Sequence, residues 1–108
     1  MRTNITARRF KLSDEIKEFA ENEVIRLKKY YQDILDVDII LSWEKNDRIS
    51  EINISVYGNV LSAHERSDDM TKAVVRCVDK LERQLIKYKE RRRGFEHDKI
   101  ANNQYSEA

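Results

Sequence analysis

The sequence predicts an α+β domain in the order β-α-β-β-β-α, a four-stranded mixed sheet with two helices packed on one face. Three observations predict it. Four short stretches alternate apolar and polar residues, as half-buried strands do. Two longer stretches place apolar residues three and four apart, the spacing of a helix with one buried stripe. The length of 108 residues is that of one domain, with a hydrophobic fraction of 40% that suffices for one core.

Each element follows from local chemistry. Thr3, Ile5 and Ala7 alternate with Asn4, Thr6 and Arg8 in a first strand. Ser13 then offers an N-cap hydroxyl, and Asp14 and Glu15 put negative charge at the positive end of a helix dipole. Behind them Ile16, Phe19, Ala20, Val24, Leu27 and Tyr31 predict a helix over about 13–31. Val37, Ile39, Leu41 and Trp43 mark the second strand, on whose inner face Trp43 is expected to join the core. Asn46-Asp47 turns the chain into a third strand through Ile52, Ile54 and Val56. Gly58-Asn59 is a hairpin turn into a short fourth strand, Val60 to Glu65. Ser67-Asp68-Asp69 repeats the helix-start chemistry. A long helix follows, with Met70, Val74, Cys77, Val78, Leu81, Leu85 and Tyr88 on one stripe. A strand-helix-strand crossover implies a parallel pair, and the two short turns imply an antiparallel meander. Residues 1–93 form the domain, and 94–108, which show no sustained period, read as a flexible tail.

Composition excludes much. The single cysteine, Cys77, rules out a disulfide framework and a multi-cysteine zinc site, and on the apolar stripe it reads as a packing residue. Gly58 and Gly94 are the only glycines, so no glycine-rich phosphate loop exists. Asp68 and Asp69 are explained by capping rather than by a metal, and His64 and His97 have no nucleophile at a telling spacing. The reading is therefore no enzyme, no catalytic residue, no metal, no cofactor and no small-molecule substrate. No signal-like run or apolar span is present, which predicts a cytoplasmic protein with no membrane partner.

Charge carries the functional signal. The net charge is only +1, yet 38% of residues are charged, so the charges must be sorted onto faces. Residues 70–93 hold nine basic side chains against Asp79, Glu82 and Glu90, which makes the segment +6 and the remainder −5. At about 100° per residue, Lys72, Arg76, Lys80, Arg83, Lys87 and Arg91 fall within a quarter to a third of the helix circumference. The first helix gathers Arg26, Lys28 and Lys29 at its end, and side-by-side helices would merge these basic ends into one groove. Basic residues near a helix C-terminus also complement the dipole, so such a stripe is by default a solvated face. Six like charges on one face, with acids absent from most of it, point instead to a polyanion that relieves their repulsion. RNA, met by shape and backbone contact, suits a rigid basic ridge.

Certain residues bear a family likeness. Asn4-Ile5-Thr6, Asp69-Met70, and above all Asp79-Lys80-Leu81-Glu82-Arg83-Gln84-Leu85 followed by Lys87 and Lys89 resemble the ribosome hibernation promoting factor and ribosome-associated inhibitor family. The likeness covers residues 1 to about 93, with Thr71 standing where the family commonly has tyrosine. It implies binding to the small ribosomal subunit and its 16S rRNA, within the intact ribosome, in the channel of messenger and transfer RNA at the decoding centre. It further implies inhibition of translation in stressed or stationary cells by steric occlusion. Carried over by position, Lys80, Arg83 and Lys87 lead the rRNA-binding candidates, with Arg26 and Lys29 from the first helix. Lys72, Arg76 and Arg91 extend the same face. The chain resembles a short form, without the extra C-terminal domain by which long members join two ribosomes. Two alternatives compete: a general structured-RNA-binding domain, and a protein-interaction module that grips an acidic partner.

Overall fold

A computed structural model of the chain describes the backbone of residues 1–97 and the side chains of residues 1–91. The order is β1 (Arg2–Arg8), α1 (Asp14–Ile25), a 3-10 turn (Arg26–Lys29), β2 (Asp36–Glu44), β3 (Asp47–Val56), β4 (Asn59–Ser67) and α2 (Met70–His97). The four strands form one sheet in the order β1-β2-β3-β4. β1 runs parallel to β2, with Ile5 opposite Ile39, while β2–β3 and β3–β4 are antiparallel. The predicted mixed sheet and its element order are thus observed.

Both helices lie on one face of the sheet. Ala20, Val24 and Leu27 from the first helical segment, and Val74, Cys77, Val78, Leu81 and Leu85 from α2, bury against Val37, Ile39, Leu41, Ile52 and Ile54. Fully burying a Leu or Ile side chain contributes roughly 1.5–3 kcal/mol, so this layer carries most of the stabilisation. Ser13 caps α1 as expected, its hydroxyl accepting from the Ile16 amide at 3.1 Å. The Asp69 carboxylate accepts from the Thr71 amide at 3.1 Å and so occupies the start of α2. At the far end of α2 the Tyr88 hydroxyl donates to the Tyr57 carbonyl at 2.8 Å, and its ring meets Tyr31 edge-on. Cys77 is buried, and its thiol donates to the Ser50 carbonyl at 3.1 Å.

The structure revises four local expectations. The first α-helix stops at Ile25, because the chain tightens into the 3-10 turn, where the Tyr30 amide bonds to the Leu27 carbonyl at 3.0 Å. The β2–β3 turn is Lys45-Asn46, one residue earlier than expected, with Lys45 at φ 50°. The β3–β4 turn is likewise Tyr57-Gly58, with Gly58 at φ 78°, a conformation that costs glycine little. Finally, α2 continues through residues 94–97 of the expected tail. One glycine weakens a helix by only about 1 kcal/mol and no proline intervenes, so nothing local stops it at Gly94. Residues 98–108 of that tail lie outside the described residues.

Trp43 also departs from expectation. It lies on the helix-facing side of β2, as alternation requires, but 42% of its surface is exposed. It stands past the end of the helical layer, where the core no longer covers the sheet.

Candidate nucleic-acid interface

The ridge on α2 is built by periodicity and aimed by the sheet. Lys72, Arg76, Lys80, Arg83, Lys87 and Arg91 are all exposed, and they lie within about 100° of arc along roughly 28 Å of helix. The buried stripe of Val74, Val78, Leu81 and Leu85 lies opposite. With that stripe on the sheet, one flank of α2 faces α1 and the other faces β4, an edge strand. The cationic row leans toward β4. Arg76 donates to the Arg66 carbonyl at 3.3 Å, and Gln84 to the Ser62 carbonyl at 2.8 Å. Between them the Lys80 ammonium meets the Glu65 carboxylate at 2.5 Å. These contacts fasten the helix along an otherwise unpaired strand edge.

Helix and edge together enclose an open groove of about 660 Å³. Ser62 and His64 of β4 line one side, and Lys80, Arg83, Gln84 and Lys87 line the other. Ser62, His64 and Gln84 escaped sequence reasoning. Their polar alternation was visible, but only the topology shows that β4 is an edge lying beside α2. Arg83, Lys87 and Arg91 have no carboxylate partner among the described residues. Lys72 lies 3.9 Å from Asp68, an exposed pair worth about 0–1 kcal/mol. The row therefore presents most of its charge to solvent.

The end of the first helical segment behaves differently. Arg26 pairs with Glu23 on its own helix and, at 2.9 Å, with Glu82 of α2. Attraction to Glu23, opposed by partial burial and aided by Glu82 and Asp79, raises its pKa above the ordinary arginine value. Arg26 thus bridges the two helices, and the seam between them carries acids as well as bases. The merged basic groove expected from sequence is not formed there. Lys29 is exposed, with no carboxylate partner among the described residues.

The opposite face of the molecule has the opposite sign. The uncovered side of the sheet presents Asp36, Asp38, Glu44, Asp47 and Glu51, against Arg2, Arg8 and Arg66. Two of those cations are tied to carboxylates, Arg2 to Asp36 at 2.9 Å and Arg66 to Asp47 at 2.6 Å. The exposed charge is therefore asymmetric, positive along the α2 ridge and negative on the uncovered sheet face. Among the described residues no group of His, Cys, Asp and Glu side chains fits a metal ion, and no helix is long and apolar enough to cross a membrane.

A small sheet carrying a fixed cationic helix ridge is a binding domain, with geometry suited to an anionic surface. Comparison with known proteins gives that class a family. Residues 3–93 match the Sigma 54 modulation protein / S30EA ribosomal protein family, and the chain belongs to it. It is 32% identical over 91 residues to the ribosome hibernation promoting factor of Azotobacter vinelandii, covering 84% of this chain and 85% of that one. The factor of the same name from Escherichia coli K12 is 31% identical, with 84% and 96% covered. A ribosomal subunit interface protein from Coxiella burnetii superposes with a TM-score of 0.79 at 31% identity, covering 83% of this chain and 99% of that one. The N-terminal domain of Thermus thermophilus Protein Y gives a TM-score of 0.74 at 27% identity, with 82% and 99% covered.

Proposed function

We propose that this protein is a cytoplasmic ribosome hibernation factor. It lays the α2 ridge on 16S rRNA of the small subunit, in the messenger and transfer RNA channel at the decoding centre, and silences translation by occupying that space. The family membership and the names of its relatives support the hibernation role. The observation that carries the RNA contact is the row of six exposed cations, held at fixed spacing by a helix bolted to the sheet. Preorganised charge of this kind binds phosphates without first ordering a chain. Arg83, Lys87 and Arg91 meet RNA most directly in this reading, with Lys72, Arg76 and Lys80 continuing the row. Lys29 contributes from the side, and Arg26 acts mainly by locking the two helices together. The action is occlusion, without turnover or cofactor.

The test is cosedimentation of the purified protein with ribosomes and separated subunits on sucrose gradients at low and moderate salt. The expected result is comigration with the small subunit and the intact ribosome. Five or six phosphate contacts predict a slope of log affinity against log salt of roughly −3.5 to −5.5. Protein that stays at the top of the gradient at both salts would overturn the reading.

A further inference from the structure

A second surface, at the end of the sheet where β1 and β2 stop, is not used by the ridge. There Phe10 and Trp43 stack with ring centroids 5.1 Å apart and planes 3° from parallel. The Arg48 guanidinium lies 4.1 Å from the centre of the same Trp43 ring. Phe10 arrives from the β1 side of β2, and Arg48 pairs with Trp43 across the β2–β3 ladder, so Trp43 stands between them. Arg48 is steadied by donating to the Lys45 and Asp47 carbonyls at 3.3 and 3.2 Å.

We propose that this pile is a stacking site for an unpaired base of single-stranded RNA, separate from the ridge on α2. Three further observations point that way. Aromatic rings and guanidinium planes are the surfaces on which unpaired bases stack, and here the exposed Trp43 lies between a half-buried Phe10 and a half-buried Arg48. Arg9 and Lys11 flank Phe10 in the chain and Lys45 follows Trp43 by two residues, all three exposed and suited to the flanking phosphates. Its nearest carboxylates already have partners: Asp47 holds Arg66 at 2.6 Å, and Glu44 lies 3.9 Å from both Arg9 and Arg66. Backbone strain is also concentrated here. Arg9 at φ 69° and Lys45 at φ 50° are the two non-glycine residues with positive φ among those described, and they flank Phe10 and Trp43. Such strain gathers where a local geometry is held for a purpose. In the bound state a base takes the place of the guanidinium on the Trp43 ring, and Arg48 turns to the adjoining phosphate.

The single tryptophan of the chain is its own reporter. The experiment titrates the full chain carrying Arg83→Glu and Lys87→Glu, which disables the ridge, with a short oligoadenylate and, separately, with base-free linear polyphosphate. The expected result is saturable quenching of Trp43 emission by the oligoadenylate and none by polyphosphate. Trp43→Ala then weakens binding of labelled oligoadenylate, read by anisotropy, about 5- to 150-fold, the range supplied by one stacked base. Trp43→Phe restores most of it. Absence of quenching, equal quenching by polyphosphate, or a response to whole ribosomal subunits but to no single-stranded RNA would each overturn the proposal. Because the ridge is disabled, these outcomes are independent of whether the protein sediments with ribosomes.

Discussion

Arg26 and Arg83 are the same residue type on neighbouring helices of one small domain, and the fold uses them in opposite ways. Arg26 is enclosed between Glu23 and Glu82, with Asp79 adding to its field, so its charge is answered within the protein. Arg83 stands on the other flank of α2 with no carboxylate partner among the described residues, beside a strand edge that contributes Ser62 and His64. The difference teaches that a count of basic residues does not locate a polyanion site. What marks a candidate for one is basic residues whose surroundings leave their charge unanswered.

The largest effect should come from reversing the unanswered charges. Arg83→Glu with Lys87→Glu is expected to lower ribosome affinity at least 100-fold, read by cosedimentation, while far-UV circular dichroism stays unchanged because both side chains are exposed. Wild-type binding by that variant would break the comparison. Next in size is a stability effect on the other flank. Arg26→Met is expected to cost about 0.5–1.5 kcal/mol in urea unfolding, since its side chain is 42% exposed and its pairs are correspondingly weak. Ribosome affinity should change far less than in the ridge variant.

Lys80 lies between the two cases and sharpens the contrast. It belongs to the ridge, yet it meets Glu65, whose side chain is 20% exposed. Glu65→Gln frees that ammonium and should steepen the slope of log ribosome affinity against log salt by about 0.7–0.9, one phosphate contact's worth. An unchanged slope would show that Lys80 does not meet RNA.

The ridge itself was legible in the sequence, because helical periodicity fixes which side chains share a face before any tertiary contact is known. So were the strand order and both helix starts, whose capping chemistry is local. The partners were not. Glu82 lies 56 residues from Arg26, and Ser62 lies 22 from Gln84, separations that no local pattern encodes. Trp43 shows the same limit from the core side. Alternation placed it on the inner face correctly, but how far the helices cover that face is decided by packing, and at Trp43 they no longer do.

The smallest expected effect is at Cys77. Burial, against the hydrogen bond to Ser50, pushes its thiol above the ordinary range. The folded state then keeps a proton that the unfolded chain releases, so this contribution to stability is full below the unfolded pKa of about 8.5 and is lost as pH rises beyond it. Urea unfolding should show a mild alkaline decline that Cys77→Ala abolishes, and a decline of equal size in that variant would assign it elsewhere.

The most direct test of the central claim is site-specific photocrosslinking to purified small subunits. A photoreactive side chain is placed at position 87 on the ridge or at position 38 on the acidic sheet face. Crosslinks to 16S rRNA are expected from position 87 and none from position 38. Crosslinks to that RNA from position 38 alone, or from neither position while the protein still cosediments, would contradict the claim.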